Sequence, residues 1–461
     1  MLITVGRRSK YFVLACLLLG LAVALVIFRK EPAVPASSLK LPDGAVVRVL
    51  AVTYGTNHVV GPLLGGCLAR LPRLAQAPIV RLFGNRAALV HSQITASPAL
   101  VVWLDDSRRG PGTAAASPGP GYMEAFLADA AGFVSGDGVY LGGWWSNPVA
   151  LTFYSIPRRD RVISLAFFHH DAGGTVKAWG KLSFKNPCFK RYPHWRPEPL
   201  PVTKRSRDVE MKVQKLSTGH DEHTTYTAGP HGSQVILFGT NRLDGRNRSV
   251  CLCTLRSLIN TNEVWYVANE EASDATGNRV KNTSIGWGSH EQGYFTFQPS
   301  LWTSEAAWKL NCEIKRAKGF AAGETFTFRN VPLGDLGTTN LIGWETNFNG
   351  VTVTLDQLVR RAPNTNNSWS LSDLSQVRLK LAVPNGMHVD WLSAQTDTGV
   401  LLESGSWESS GPNRSYSFRA IPIEAATADF TFAVQQSRWI EFTLKPEVGA
   451  ARVEVPPPHP P

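Results

Sequence analysis

The densest group of metal-capable side chains is GHDEH at residues 219–223. His220, Asp221 and His223, with Glu222 between them, offer the mixed nitrogen and oxygen donors that zinc accepts. A zinc site normally draws a ligand from elsewhere in the fold, and no partner stands out. A polar loop after a strand explains the same residues. FFHHD at 167–171 sets two imidazoles side by side. Neighbours on a strand face opposite ways and do not share one ion, so this stretch reads as a strand running into a surface turn. WLDDS at 103–107 pairs two carboxylates, but glycoside hydrolysis sets its two carboxyls on opposite sides of the scissile bond. An adjacent pair reads as a solvated turn. CLC at 251–253 places Cys251 and Cys253 on one side of a strand, as small buried hydrophobes. No nucleophile elbow, P-loop, dinucleotide fingerprint or HExxH occurs. No catalytic residue and no cofactor site is assigned.

Binding chemistry is better represented. GGWWSNP carries Trp144 and Trp145, and YPHWRPEP carries Trp195; aromatic faces beside turn residues can stack on sugar rings or peptides. Packing of a Trp against its own module or linker is the competing role. Lys204, Arg205 and Arg207 belong to a basic run in a Pro-rich stretch and can hold a polyanion or anionic headgroups. A solvated linker surface is the alternative. The 461-residue chain has a formal net charge of +11. That charge favours anionic surfaces but is too diffuse to imply nucleic acid.

The elements that must position these residues are strands. VVRVLAVTYG, VEMKVQKL and VTVTLDQL begin at Val46, Val209 and Val351. Each alternates with period two and then steps by three, the pattern of a half-buried strand leading into a turn or bulge. Downstream, each copy carries Asp, Gly and then Trp (Trp145, Trp287 or Trp407), read as a hairpin turn and a core aromatic. Each unit is then expected to close with two strands: VISLAFF and KLSFKNP, WKLNCEI and TFTFRNVP, WIEFTLK and ARVEVPPP. The chain thus reads as all-β, with three tandem immunoglobulin-like or related β-sandwich modules at residues 44–187, 208–332 and 350–456. Residues 188–207 and 333–349 are linkers, and 457–461 is a Pro-rich tail. The segments YMEAFLADAA, from Tyr122, and SEAAW, from Ser304, are the expected helical exceptions, the second doubling as a strand entrance.

Ahead of the modules, the run from Tyr11 to Phe28 holds eighteen residues without a charge, after a basic tail at 1–10. In helix it spans about 27 Å, enough to cross a hydrocarbon core. Charged residues separate it from the nearest small-residue cleavage site, which favours a retained anchor over a signal peptide. Residues 29–43 then link it to the first module. The bulk of the chain is expected outside the cytoplasm.

LPDGAVVRVLAVTYGTNH at 41–58, with the later FKNP…W…PEPLP stretch, resembles the opening of uncharacterised membrane-anchored bacterial envelope proteins. That resemblance implies an envelope setting and no activity. The expected function is interaction or scaffolding at the membrane, with an anionic glycan or envelope protein as partner. The alternative is a carbohydrate-active or other hydrolase, which would show a deep cleft with convergent ionisable groups at a module junction.

Overall fold

The computed structural model describes residues 38–60, 91–107, 121–134, 138–141, 148–173, 175–220, 222–226, 234–238, 248–287, 292–361, 374–402, 404–410, 412–418 and 421–448. Among them the structure is all-β, with a single 3-10 turn at Ala322–Glu324 and no α-helix. None of these residues forms a helix long and apolar enough to cross a membrane. Residues 11–28 lie outside the described set.

The three patterned segments are the strands Val46–Val60, Val209–His220 and Val351–Val359. Val47, Val209 and Val351 are all buried in them. The step of three coincides with irregular register in the second and third, between Val213 and Lys215 and between Leu355 and Gln357; in the first the irregularity comes earlier, between Val49 and Ala51. An extra residue at a bulge re-aims the side chains that follow. Leu216 and Leu358 therefore return to the interior, and the strand continues instead of turning. In the first copy the strand runs on to Val60 and Tyr54 stays exposed.

The first module has two four-stranded sheets. One orders Ser38–Lys40, Val46–Val60, His91–Asp106 and Val149–Phe153; the other orders Val139–Tyr140, Gly121–Ala128, Val162–Asp171 and Val176–Lys185. Leu100, Val102 and Leu104 from the first sheet share a core with Ala125, Leu127 and Leu165 from the second. Gly121–Ala128 is thus a strand where a helix was expected. It pairs along its length with Val162–Asp171, and side chains on both of its faces are buried. Such strands are apolar without alternation and resemble buried helices in sequence. Residues 304–306 form a turn and bend just before the Trp308–Lys318 strand. His169 and His170 lie within a strand instead of a turn, and Asp106 ends one, buried.

The second and third modules do not close as expected. Thr325–Pro332 pairs with Thr427–Gln436 in the third module, and Arg438–Leu444 pairs with Trp308–Lys318 in the second. The third module is therefore inserted between two neighbouring strands of the second. Its return to the second module passes through one residue, Ser437. Residues 308–332 and 427–444 run antiparallel through both modules as an interrupted ribbon, whose backbone pairing lapses between the pairs Ile314–Arg438 and Thr325–Ala433, where the first segment makes the 3-10 turn. Gln435 fills the gap: its Oε1 accepts from the Arg316 N–H at 2.8 Å and its Nε2 donates to the Arg316 carbonyl at 2.7 Å. The third module has its own core around Phe418, Phe430 and Phe432.

The first and second modules, by contrast, share one core cluster. Their junction holds buried polar side chains. The Asn278 carboxamide accepts from the Ile156 N–H at 2.9 Å and donates to the Ile156 carbonyl at 2.8 Å, as a neighbouring strand would. Arg158 donates to the Thr276 carbonyl at 2.6 Å, and Arg159 pairs with Glu305 at 2.8 Å. Asp274 holds that turn by accepting from the Thr276 and Asn278 N–H groups. The left-handed Gly277, at φ 96°, is the glycine the Asp-to-Gly spacing anticipates.

Candidate functional site

Alternation along Trp308–Lys318 sends Glu313 and Lys315 to one face and Arg316 to the other. The inserted module meets the first of these faces with the strand Met387–Thr396, where His388 and Asp390 flank the buried Val389. Two close polar pairs result. Glu313 Oε1 lies 2.8 Å from His388 Nε2, and Lys315 Nζ lies 2.6 Å from Asp390 Oδ1. Gln435 Nε2 donates to the other Asp390 oxygen at 2.7 Å. Arg414 donates to the Val389 carbonyl, which fixes its guanidinium beside the pairs.

Glu313, Lys315, His388, Asp390 and Arg414 line a cleft of about 520 Å³ between the two modules, with Tyr266, Trp391 and Tyr416 as its aromatic walls. Lys315 Nζ stands 5.3 Å from the Tyr266 ring centroid. Trp391 is half-buried and packs against Tyr416 at 5.2 Å and Phe432 at 5.4 Å between centroids. Burial would lower the Lys315 ammonium, but Asp390 more than offsets this and holds it above its ordinary value. Burial pushes the Tyr266 and Tyr416 phenols up, so both remain neutral donors. The volume falls within the range of small-ligand sites. What the lining offers is planar hydrogen-bonding groups of both signs beside aromatic faces.

Sequence reasoning assigned none of these residues. The signal available was the i, i+2 spacing of charged side chains on two strands, Glu313 with Lys315 and His388 with Asp390. It carries meaning only once the two strands are known to face each other.

The residues that sequence reasoning did single out are dispersed. Trp144, Trp145 and Asp221 lie outside the described residues. His220 ends one strand and His223 lies in the next, Glu222–Tyr226, with side chains outside the described set. Among the described residues no group of three His, Cys, Asp or Glu is placed to hold a metal. His169 stacks on Trp179 and His170 on Tyr122, each at 4.3 Å, on opposite faces of their strand. Trp195 is half-buried with Lys309 Nζ 5.2 Å from its ring. Lys204 donates to Glu198 at 2.6 Å and to the Glu441 carbonyl at 2.7 Å. Arg205 pairs with Glu210 at 2.9 Å, and Arg256 joins the same carboxylate at 2.6 Å. These guanidinium hydrogen bonds hold the Glu210 carboxyl below its usual range. Of the three basic candidates, Arg207 alone has no ion pair or hydrogen bond among the described residues.

No family model and no curated protein matches the chain. Among solved structures it is similar, at 10% identity, to a tetra-tandem repeat in the extending region of a large adhesion protein. That match covers 87% of this chain and 81% of the other with a TM-score of 0.12, too low to carry an inference about fold or function.

Proposed function

We propose that the protein is a binding or scaffolding component of the bacterial envelope. Three immunoglobulin-like modules are tethered to a membrane by residues 11–28, and the cleft between the second and third modules receives a polar, carbohydrate-like ligand. The observation that carries this reading is the lining of that cleft. Trp391 and Tyr266 offer aromatic surface, and Glu313, Lys315, Asp390 and Arg414 offer planar or charged groups for sugar hydroxyls.

A cleft with convergent ionisable groups also meets one requirement of the hydrolase reading. Each carboxylate there already has a partner, however: Glu313 is within hydrogen-bond distance of His388, and Asp390 pairs with Lys315. Carboxylates so engaged by their own neighbours are not free to reach a glycosidic oxygen as hydrolysis requires. The arrangement supports binding ahead of turnover.

The test is a glycan array followed by calorimetric titration of the leading glycan. Lys315→Met keeps the aliphatic stem and removes the charge, and Trp391→Phe keeps most of the core packing. Each is expected to weaken binding about tenfold while the melting transition is retained, which corresponds to about 1.4 kcal/mol. Release of free sugar from the bound glycan would replace this reading with the hydrolase. Partition into detergent with an intact N-terminus is the expected behaviour of the tethered chain.

A further inference from the structure

A second cleft, of about 380 Å³, lies where Arg316 points, on the other face of the same strand. Its lining includes Arg207, Trp265, Arg316, Glu324, Ser437 and Arg438. Two of its guanidiniums pack over one indole: the Arg438 carbon lies 4.5 Å from the Trp265 ring centroid and the Arg316 carbon 5.5 Å. Arg438 Nη1 donates to Asp208 at 2.6 Å and to the Ser206 carbonyl at 3.1 Å. Arg316 donates to Glu263 at 3.2 Å, to the Gly319 carbonyl at 3.3 Å and to Glu324.

Asp208, Glu263 and Glu324 formally balance the three arginines, so net charge does not make this a site. Unused donors do. The hydrogen bonds of Arg438 all leave from Nη1, and Arg207 makes none with any described residue. A guanidinium carries five N–H donors in a planar fork that matches an oxyanion.

Arg207 is also held where an arginine is not at ease. Ser206 and Val209 are paired across a two-residue turn, and Arg207 occupies its first position at φ 57°. Glycine suits that conformation, and another residue there costs about 1 kcal/mol. Arg438 grips the turn from both sides, through the Ser206 carbonyl and the Asp208 carboxylate. The free guanidinium is thereby carried on a turn that is itself anchored to the cleft wall. Its basic neighbours Lys204 and Arg205 are committed elsewhere.

We propose that this cleft binds one oxyanion of an acidic glycan, a carboxylate, sulfate or phosphate ester, between Arg207 and the unused donors of Arg438. Arg316 borders both clefts, but Arg207 and Arg438 line only this one, so either site can fail while the other holds.

The test is calorimetric titration of the full chain in detergent with glucuronate, glucose 6-sulfate, glucose 6-phosphate and neutral glucose, at low and at physiological salt. At least one charged sugar is expected to saturate the site, with affinity falling as salt rises, while glucose does not bind there. The identity of the charged sugar that binds distinguishes carboxylate, sulfate and phosphate ligands. Arg207→Gly separates function from folding, because glycine relieves the backbone at φ 57° while removing the donors. It should weaken charged-sugar binding at least tenfold with an unchanged or higher melting temperature, and Lys204→Ala should leave binding unaltered. Absence of saturable binding by all three anions, or wild-type affinity in Arg207→Gly, would overturn the proposal.

Discussion

Glu270 is fully buried in the core of the second module, opposite Cys312 on the neighbouring strand, and neither of its carboxyl oxygens has a hydrogen-bond partner. Burial pushes its pKa from 4.5 up to about 8. The folded state then binds a proton that the unfolded state releases at lower pH. Stability from this group is therefore highest below the unfolded value and falls as pH rises from about 4.5 to about 8. The steepest slope is about 1.4 kcal/mol per pH unit. Denaturant midpoints measured from pH 4.5 to pH 8 should decline in the wild type and stay flatter in Glu270→Gln; equal slopes would assign the decline to other groups. The thiols around it follow the same physics. Cys251, Cys253 and Cys312 are buried and free, and burial pushes all three thiols upward. Alkylation mapped by peptide should reach them only after unfolding.

At the scale of elements, the exchange of strands has a direct consequence. Arg438–Leu444 contributes Ile440, Phe442 and Leu444 to the core of the second module, all buried. Each such side chain is worth about 1.5–3 kcal/mol on burial. Their sum is comparable to the whole stability of a domain, about 5–15 kcal/mol. A chain ending at Pro332, where KLSFKNP-like closure places the module boundary, should therefore lose cooperative unfolding of its second module. Replacing residues 319–436 by a short glycine-containing turn should retain it, since Ile314 and Arg438 are already paired. Equal stability of both truncations would contradict the insertion. The strands themselves were legible because period and breaks are local: Val209, Met211 and Val213 alternate, and the step to Leu216 marks a bulge. Partnership was not legible. WIEFTLK alternates in the same way whichever neighbour it meets, and only the assembled sheet pairs Phe442 with Leu310. The junction cleft was hidden for the same reason, since Glu313 and His388 come together only through the insertion. Arg207 was singled out from charge, but the commitment of Lys204 and Arg205 depends on Glu198 and Glu210 being across from them.

Over the whole molecule, cooperativity should follow the cores and not the sequence repeats. The first and second modules share a core cluster and a junction closed by Asn278, Arg158 and Arg159, whereas the third module packs around its own phenylalanines. The inserted module begins and ends at adjacent strands of the second, so it can unfold without separating Trp308–Lys318 from Arg438–Leu444. Scanning calorimetry of the full chain is thus expected to resolve two transitions, one for the first two modules together and one for the third. Asn278→Ala tests the coupling. It strips both hydrogen bonds from Ile156, whose N–H and carbonyl then lie buried without partners at about 1–3 kcal/mol each. The shared transition should drop in temperature or divide in two, and the third module's transition should not move. A single transition in the wild type would mean that the ribbon transmits unfolding across Ser437. In that case Gln435, which bridges the gap in the ribbon by bonding both backbone groups of Arg316, is the residue through which the modules are coupled.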